Sequence, residues 1–453
     1  MPTSTTTTFD ELRRRAQAQL FAGLPQHVER LTWSRPQVAE HQRSALRALL
    51  ARALEESPLH ARRLAGLDPS TFELEDLAGL PTMSKAEMMA GFDDLLTERR
   101  LGRRGVEEAL AMTTVDPVPV LGEYLCMASG GSSGQRAVFV FDVAALVDYA
   151  TSILRPAVAR RGGPPPAGAT SAMVGAASPI HATGLAPRLL EGSPLSFTSV
   201  PVTLPLGELV GRLDALQPMA LFGYAGMLAR LAHEQRAGRL RISPRSVTAT
   251  SEVLLPQHRA AITEAFVPPV DMFATTEGLV GSSAPGDTTV TFASDCCIVE
   301  LVDEHDRPVP PGVRAAKALV TNLFNHVQPL IRYELGDCFV RRPDVPEHGH
   351  LRATVEGRAD EVLHFGELAI HPAVVRSVLV STPAVVDYQA CQTLRGLDLA
   401  VVADREVALG RLCELVSAAL ADAGLPSPEV RARAVERLPR QPDTGKLRRF
   451  IPC

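Results

Sequence analysis

The sequence predicts an α/β protein in two parts: a large N-terminal unit of layered α/β sheets with a β-rich subdomain, then a small C-terminal α/β domain. Three observations carry this. In the middle of the chain short apolar runs alternate with helical patterns: AVFVFD then DVAALVDYATSIL, SAMVGAA then LAPRLLEG, MALFG then AGMLARLAHEQRAG, SVTATSE then LPQHRAAITEAF. Such alternation argues for a largely parallel sheet covered by helices. After Gly286 the pattern changes to shorter strands and turns, ending in PLIRYELGDCFV. It changes again at VEGRADEV, leaving about 95 residues, long enough for a small domain. The expected division is 1–357 and 358–453.

Composition narrows the class. The chain has 453 residues, 45% apolar and 21% charged, as in ordinary globular proteins. A net charge of −5 gives no basic excess for nucleic acid. No apolar run approaches the roughly 20 residues needed to span a bilayer. The seven scattered cysteines form no CxxC, so neither a disulfide framework nor a zinc site is expected, and reduced thiols point to a cytoplasmic protein. Of the 46 basic residues only Lys85, Lys317 and Lys446 are lysines. In so biased a chain a lysine is either a remnant of drift or a compact point charge that a planar guanidinium replaces badly.

Taken in order, MPTSTTTTFDELRRR reads as a frayed polar lead-in. The stretch from Pro36 to about Leu64 has apolar residues at helical spacing. In LPTMSKAEMMAGF, Ser84 and Glu87 have the spacing of a capping box, which places Lys85 in a first helical turn at the surface. The loops that follow the apolar runs (ASGGSSG, ASPIHATG, FGYAG, ATSEVL, ATTEG) lie where sheets of this kind bind ligands.

Several of these loops carry groups suited to a nucleotide. Glycines and serines at Ser129, Gly130, Gly131, Ser132, Ser133 and Gly134 let backbone N–H groups and hydroxyls converge on an anion, or make a plain turn. Gln135 and Arg136 follow, so the lysine that ends a P-loop is missing. In ATTEG, Thr276 and Glu277 offer a hydroxyl and a carboxylate able to hold Mg²⁺, or simply open a helix. Asp337 in IRYELGD either accepts hydrogen bonds from a ribose diol or starts a turn. Arg358 and Asp360 in GRADE, and Lys446 in RQPDTGKLRRF, singly read as charged surface turns.

Their order is more specific. SGGSSG, SPIHATG, ATSEVL, FATTEG, RYELGD, GRADE and PDTGKLRR, over some 320 residues, resemble the motif series of the adenylate-forming enzymes. The opening SPLHARRL and LEDLAGLPTMSKAEM, with DCCIVELVDEHDRPVPPG, make the chain most similar to phenylacetate–CoA ligase-like proteins. The resemblance implies ATP-dependent activation of a small, aromatic acid as an acyl-adenylate, then transfer to CoA. It supplies the absent cation from the other end of the chain. Lys446, on a mobile C-terminal domain, matches the catalytic lysine, and Asp360 matches the hinge about which that domain swings. The 129–134 loop would hold the β- and γ-phosphates, Thr276 the α-phosphate, Glu277 the Mg²⁺, and Asp337 and Arg358 the ribose side. Ser251 and Glu252 would line the adenine pocket beside Phe273, Ala274 and Thr275. Tyr124, His181, Tyr224, Ala249 and Ala274 would line the acid pocket. A homodimer is expected on the same ground.

The chain departs from the family pattern at four places, the mildest being Ser132 and Ser133 where a threonine pair is common, which keeps the hydroxyl donors. Phe273 and Ala274 stand where tyrosine and glycine are usual, ATSEVL lacks the usual glycine and proline, and FGELAIHP is one residue longer than usual. The last two residues of FATTEG's active core, Thr276 and Glu277, are kept, so adenylation is expected more firmly than the CoA step. The alternatives are an acceptor other than CoA (an amine, a hydroxyl, a carrier-protein thiol), activation of a small oxyanion such as nitrite, or a silent nucleotide-binding homologue.

Overall fold

The computed structural model describes residues 8–453 except 130–135, 164, 167, 346, 359–360, 383, 404 and 442–443. Gly130 to Gly134 and Asp360 therefore lie outside the described residues. Among the described residues the centre of the large unit is a nine-stranded mixed sheet. Its parallel part runs, in spatial order, Thr198–Pro201, Ser171–Gly175, Ala220–Tyr224, Ser246–Thr250 and Val270–Ala274. These are the SAMVGAA, MALFG and SVTATSE runs and their neighbours, nearly all buried. The sheet then turns antiparallel through Val280–Ser282, Val290–Phe292, Arg352–Arg358 and Asp337–Arg341. A separate three-stranded antiparallel sheet (Cys297–Val302, Lys317–Asn322, Tyr333–Leu335) supplies the β-rich subdomain.

Two sequence expectations are corrected. AVFVFD is not a strand of the parallel sheet. Its residues Val138–Phe141 pair antiparallel with Leu125–Ala128 as an isolated two-stranded ribbon, both strands buried throughout. The backbone groups left over are met by side-chain amides from a distant loop: Gln328 accepts from Val140 N and donates to Val138 O, and Asn325 donates to Val140 O. The polar lead-in also contributes a helix. Phe9–Glu29 is a 21-residue helix with a Thr8–Glu11 capping box, burying Phe9, Leu12, Ala16, Leu20 and Leu24. The Ser84–Glu87 capping box forms as expected and starts the helix Lys85–Ala90.

Residues from Leu363 onward pack around a core of their own. The strands Val385–Thr393, Gly396–Ala403, Glu429–Ala434 and Phe450–Ile451 make a four-stranded sheet backed by the helices Ala373–Val380 and Leu409–Asp422. One residue of the large unit, Leu255, is buried in that core, with Val253 packed against it. The expected 357/358 division falls at the end of the strand Arg352–Arg358. No helix among the described residues is long and apolar enough to cross a membrane.

Candidate active site

One large cavity, about 600 Å³, opens at the carboxyl ends of the parallel strands, where loops of the large unit meet Gln441, Thr444 and residues 446–449. The strand Val270–Ala274 runs straight into ATTEG, so Phe273, Ala274, Thr275, Thr276 and Glu277 all reach its wall. The turn is tight. Thr275 N donates to Leu279 O at 3.0 Å, and the Tyr149 hydroxyl donates to Thr275 O at 3.0 Å. Gly278 sits at φ +103°, and a Cβ there would lie 2.2 Å from the Asn322 amide nitrogen that donates to Glu277 O. Burial raises the Glu277 pKa, the Asp337 charge adds to the rise, and Arg358 opposes it. A carboxylate desolvated in this way fits a divalent cation.

Asp337 and Arg358 face each other across the antiparallel pair at the sheet's end, 3.5 Å apart, and both line the cavity. Lys446 enters from the other domain. Its backbone is fixed by Thr444 and Gln441, and its ammonium has no ion-pair or hydrogen-bond partner among the described residues. Desolvation and the nearby Arg358 lower its pKa. Ser129, the one described serine of the Gly/Ser loop, closes the stem of that loop: its Oγ accepts from Ala137 N at 2.9 Å.

His181 lines the same cavity. Its Nδ1 lies 3.0 Å from Ala128 O, a pure acceptor, so Nδ1 carries the proton and Nε2 is left as an acceptor. The HATG loop that holds it depends on Gly184, where a Cβ would come within 2.0 Å of Ser178 O. Behind it the cavity has an apolar arm between the helices Val143–Arg161 and Ala182–Leu189, floored by Met173, Phe222 and Phe197. The two phenylalanines meet edge to face at 4.8 Å.

Four expected residues stand differently. Tyr124 does not line the cavity; it is buried, with its hydroxyl 3.5 Å from Glu98. Ala249 is fully buried on the opposite face of its strand from Thr250, as period-two alternation requires. Tyr224 lines the cavity, but its hydroxyl donates to Thr444 O at 2.8 Å and so braces the lysine loop. Glu252 is not presented to an adenine: its oxygens accept from Gly226 N (2.9 Å), Leu447 N (3.1 Å) and Arg440 Nη1 (3.0 Å). Ser251, at φ +66°, does line the cavity.

Other lining residues were missed. Asp271, two positions before Phe273, offers a half-buried carboxylate whose pKa burial raises to about 6 against the opposing charge of Arg259. Lys85, expected at the surface, and Lys317, paired with Asp306 (2.8 Å) and Glu334 (3.2 Å), line the cavity as well. All three lysines of the chain thus stand on the walls of one cavity. The arginine bias was the signal that pointed there.

No protein-family model matches the sequence and no curated protein matches it; the likeness is to solved structures. 2-Hydroxyisobutyryl-CoA ligase in its postadenylation state, in complex with 2-HIB-AMP, superposes with a TM-score of 0.71 at 20% identity, over 94% of this chain and 91% of the ligase. The same ligase in its thioesterification state gives 0.55 at 19% identity, over 93% of this chain and 91% of the ligase. The anthranilate CoA ligase AuaEII matches with a TM-score of 0.53 at 18% identity, over 71% of this chain and 64% of that one. The amide bond synthetase McbA from Marinactinospora thermotolerans matches at 0.50 and 17%, over 69% and 65%. This chain has the fold of the adenylate-forming ligases.

Proposed function

We propose that this protein activates an apolar carboxylic acid with ATP, forming an acyl-adenylate and pyrophosphate, and passes the acyl group to the thiol of CoA. The observation that carries the reading is the convergence of Thr276, Glu277, Asp337, Arg358 and Lys446, from separate segments and both domains, on one cavity with an apolar arm. In the first step a carboxylate oxygen of the acid bonds to the α-phosphorus, and the bond from that phosphorus to the bridging oxygen breaks. Negative charge on the α-phosphate oxygens rises, and a desolvated ammonium held there stabilises it more than the same group in water. Lys446 holds the acid and the α-phosphate together, which removes much of the entropic barrier. Asp337 accepts from the ribose hydroxyls. Glu277 would hold a magnesium ion, which would supply positive charge against the phosphates.

The apolar arm favours an acid with no second charge: the side chains lining it from the two helices include no acidic or basic group, and the Tyr149 hydroxyl there is taken up by Thr275 O. An aromatic ring fits the edge-on phenylalanine pair. The likeness to an amide bond synthetase supports a second reading, in which the adenylate passes to an amine. ATP–pyrophosphate exchange with a panel of aromatic and branched aliphatic acids, CoA withheld, tests the first step. Exchange driven by apolar acids is expected, and none with any acid overturns the reading. Adding CoA or an amine then shows which acceptor consumes the adenylate.

A further inference from the structure

Glu252 is the only carboxylate among the described residues that binds backbone and side-chain donors from both domains at once beside the catalytic lysine. On the large unit it accepts from Gly226 N, at the start of the helix Ala225–Arg236. From the C-terminal domain it accepts from Leu447 N, the residue after Lys446, and from Arg440 Nη1, which also donates to Gly445 O at 2.9 Å. Arg449 stands 3.6 Å from its other oxygen and 3.2 Å from Asp387. The Glu252 side chain is 2% exposed and those of Arg449 and Asp387 are 5% and 4%. Gly226 keeps the site open: a Cβ there would fall 2.8 Å from Arg449 Nη2 and 2.9 Å from Glu252 Oε2. Val253 and Leu255, on the same segment, are packed into the other domain's core.

From this geometry we infer that Glu252 is a positioning residue, a latch that fixes the Lys446 loop in the adenylating arrangement and must let go before the second half-reaction. The inference rests on the proposed adenylation only for its kinetic readout. The reason is electrostatic. A buried carboxylate with three hydrogen-bond donors and a guanidinium 3.6 Å away is satisfied only while the C-terminal domain is docked. Undocking leaves Glu252 facing Gly226 N alone, and leaves Arg440 without its carboxylate, so the charge pair both favours docking and fixes one register of it.

The test uses full-length protein. In Glu252→Ala, hydrogen–deuterium exchange of the amides in residues 440–449 is expected to rise at least about tenfold without any ligand. ATP–pyrophosphate exchange is expected to lose about a hundredfold in kcat, with the KM for ATP moved less than about threefold. Arg440→Ala, made from the other side of the pair, should give the same pattern, and the double variant should be little worse than either. Glu252→Gln, which keeps the acceptor for Leu447 N but not the charge, should fall between. If the KM for ATP rises with kcat held, Glu252 is a nucleotide contact and the latch is wrong. If amide exchange over 440–449 does not change in folded Glu252→Ala or Arg440→Ala protein, the latch is equally wrong. Wild-type protein without ATP–pyrophosphate exchange would refute the proposed activity but leave the amide measurement standing as the test of the latch.

Discussion

An ammonium such as that of Lys446, desolvated, close to a guanidinium and without a hydrogen-bond or ion-pair partner among the described residues, has its charge ready for a ligand. Lys446→Ala is expected to reduce ATP–pyrophosphate exchange about 10²- to 10³-fold, the scale for loss of one transition-state donor. Lys446→Arg should recover little of it, because a planar fork does not replace a point charge on a flexible stem. The same environment sets a pH signature. Desolvation and Arg358 lower the Lys446 pKa from 10.5, and the active form is the charged one, so exchange should fall on the alkaline side below the ordinary lysine range. Removing the opposing charge by Arg358→Gln should move that limb upward in pH, whatever it does to the ribose. An unmoved limb would show that Lys446 is not the titrating group.

Among the elements, the HATG segment is tightly constrained. Gly184→Ala drives a methyl group into the Ser178 carbonyl, a backbone atom that has no flexible escape. A loss of about 1–3 kcal/mol in unfolding free energy is expected, with a raised KM for the acid as His181 shifts; urea denaturation and exchange kinetics read the two separately. The elements also show what sequence can carry. The parallel strands and their helices are legible because each apolar run is local and is followed at once by an amphipathic pattern. The ribbon Leu125–Ala128 with Val138–Phe141 has the same apolar signature, and its separation from the sheet depends on Asn325 and Gln328, more than 180 residues later. The helix Phe9–Glu29 was hidden by its arginines, although Leu12, Ala16, Leu20 and Leu24 keep a four-residue step. Of the cavity's lining, Thr276, Glu277, Asp337, Arg358 and Lys446 were legible as candidates from the order of their motifs, although within ATSEVL Ala249 lies in the core and Glu252 binds across to the C-terminal residues. Asp271 was not, because nothing local separates a lining carboxylate from any other strand residue. Tyr124 and Ala249 were misplaced because only the fold decides which face of a strand or turn looks into the cavity.

For the molecule as a whole, the site exists only where the two domains meet, since Lys446 and Glu277 belong to different ones. A stable acyl-adenylate analogue, bound to both, is expected to raise the melting temperature well beyond AMP alone, with mass action setting the increment at about 2.7 kcal/mol for ligand at 100 times its Kd. Glu252 adds a condition at low pH. Its carboxyl is held down to about 2 although burial alone would raise it; the opposing charges of Arg440 and Arg449 and the Leu447 and Gly226 N–H groups keep it ionised. A depressed carboxyl contributes stability above its unfolded pKa of about 4.5 and loses it as the pH falls toward 2, so docking should loosen in that window. Amide exchange over 440–449, followed from pH 5 downward and corrected for the intrinsic rate, should rise in the wild type more than in Glu252→Gln.

Because Lys85, Lys317 and Lys446 are the chain's whole supply of lysine and all border the same cavity, the protein carries its own footprinting set. Apart from the α-amino group, an amine-specific reagent has three addresses, and a lysine-specific endoprotease has three bonds to cut. Peptide mapping of acylated protein would report occupancy of the cavity residue by residue, in native protein with no engineered label.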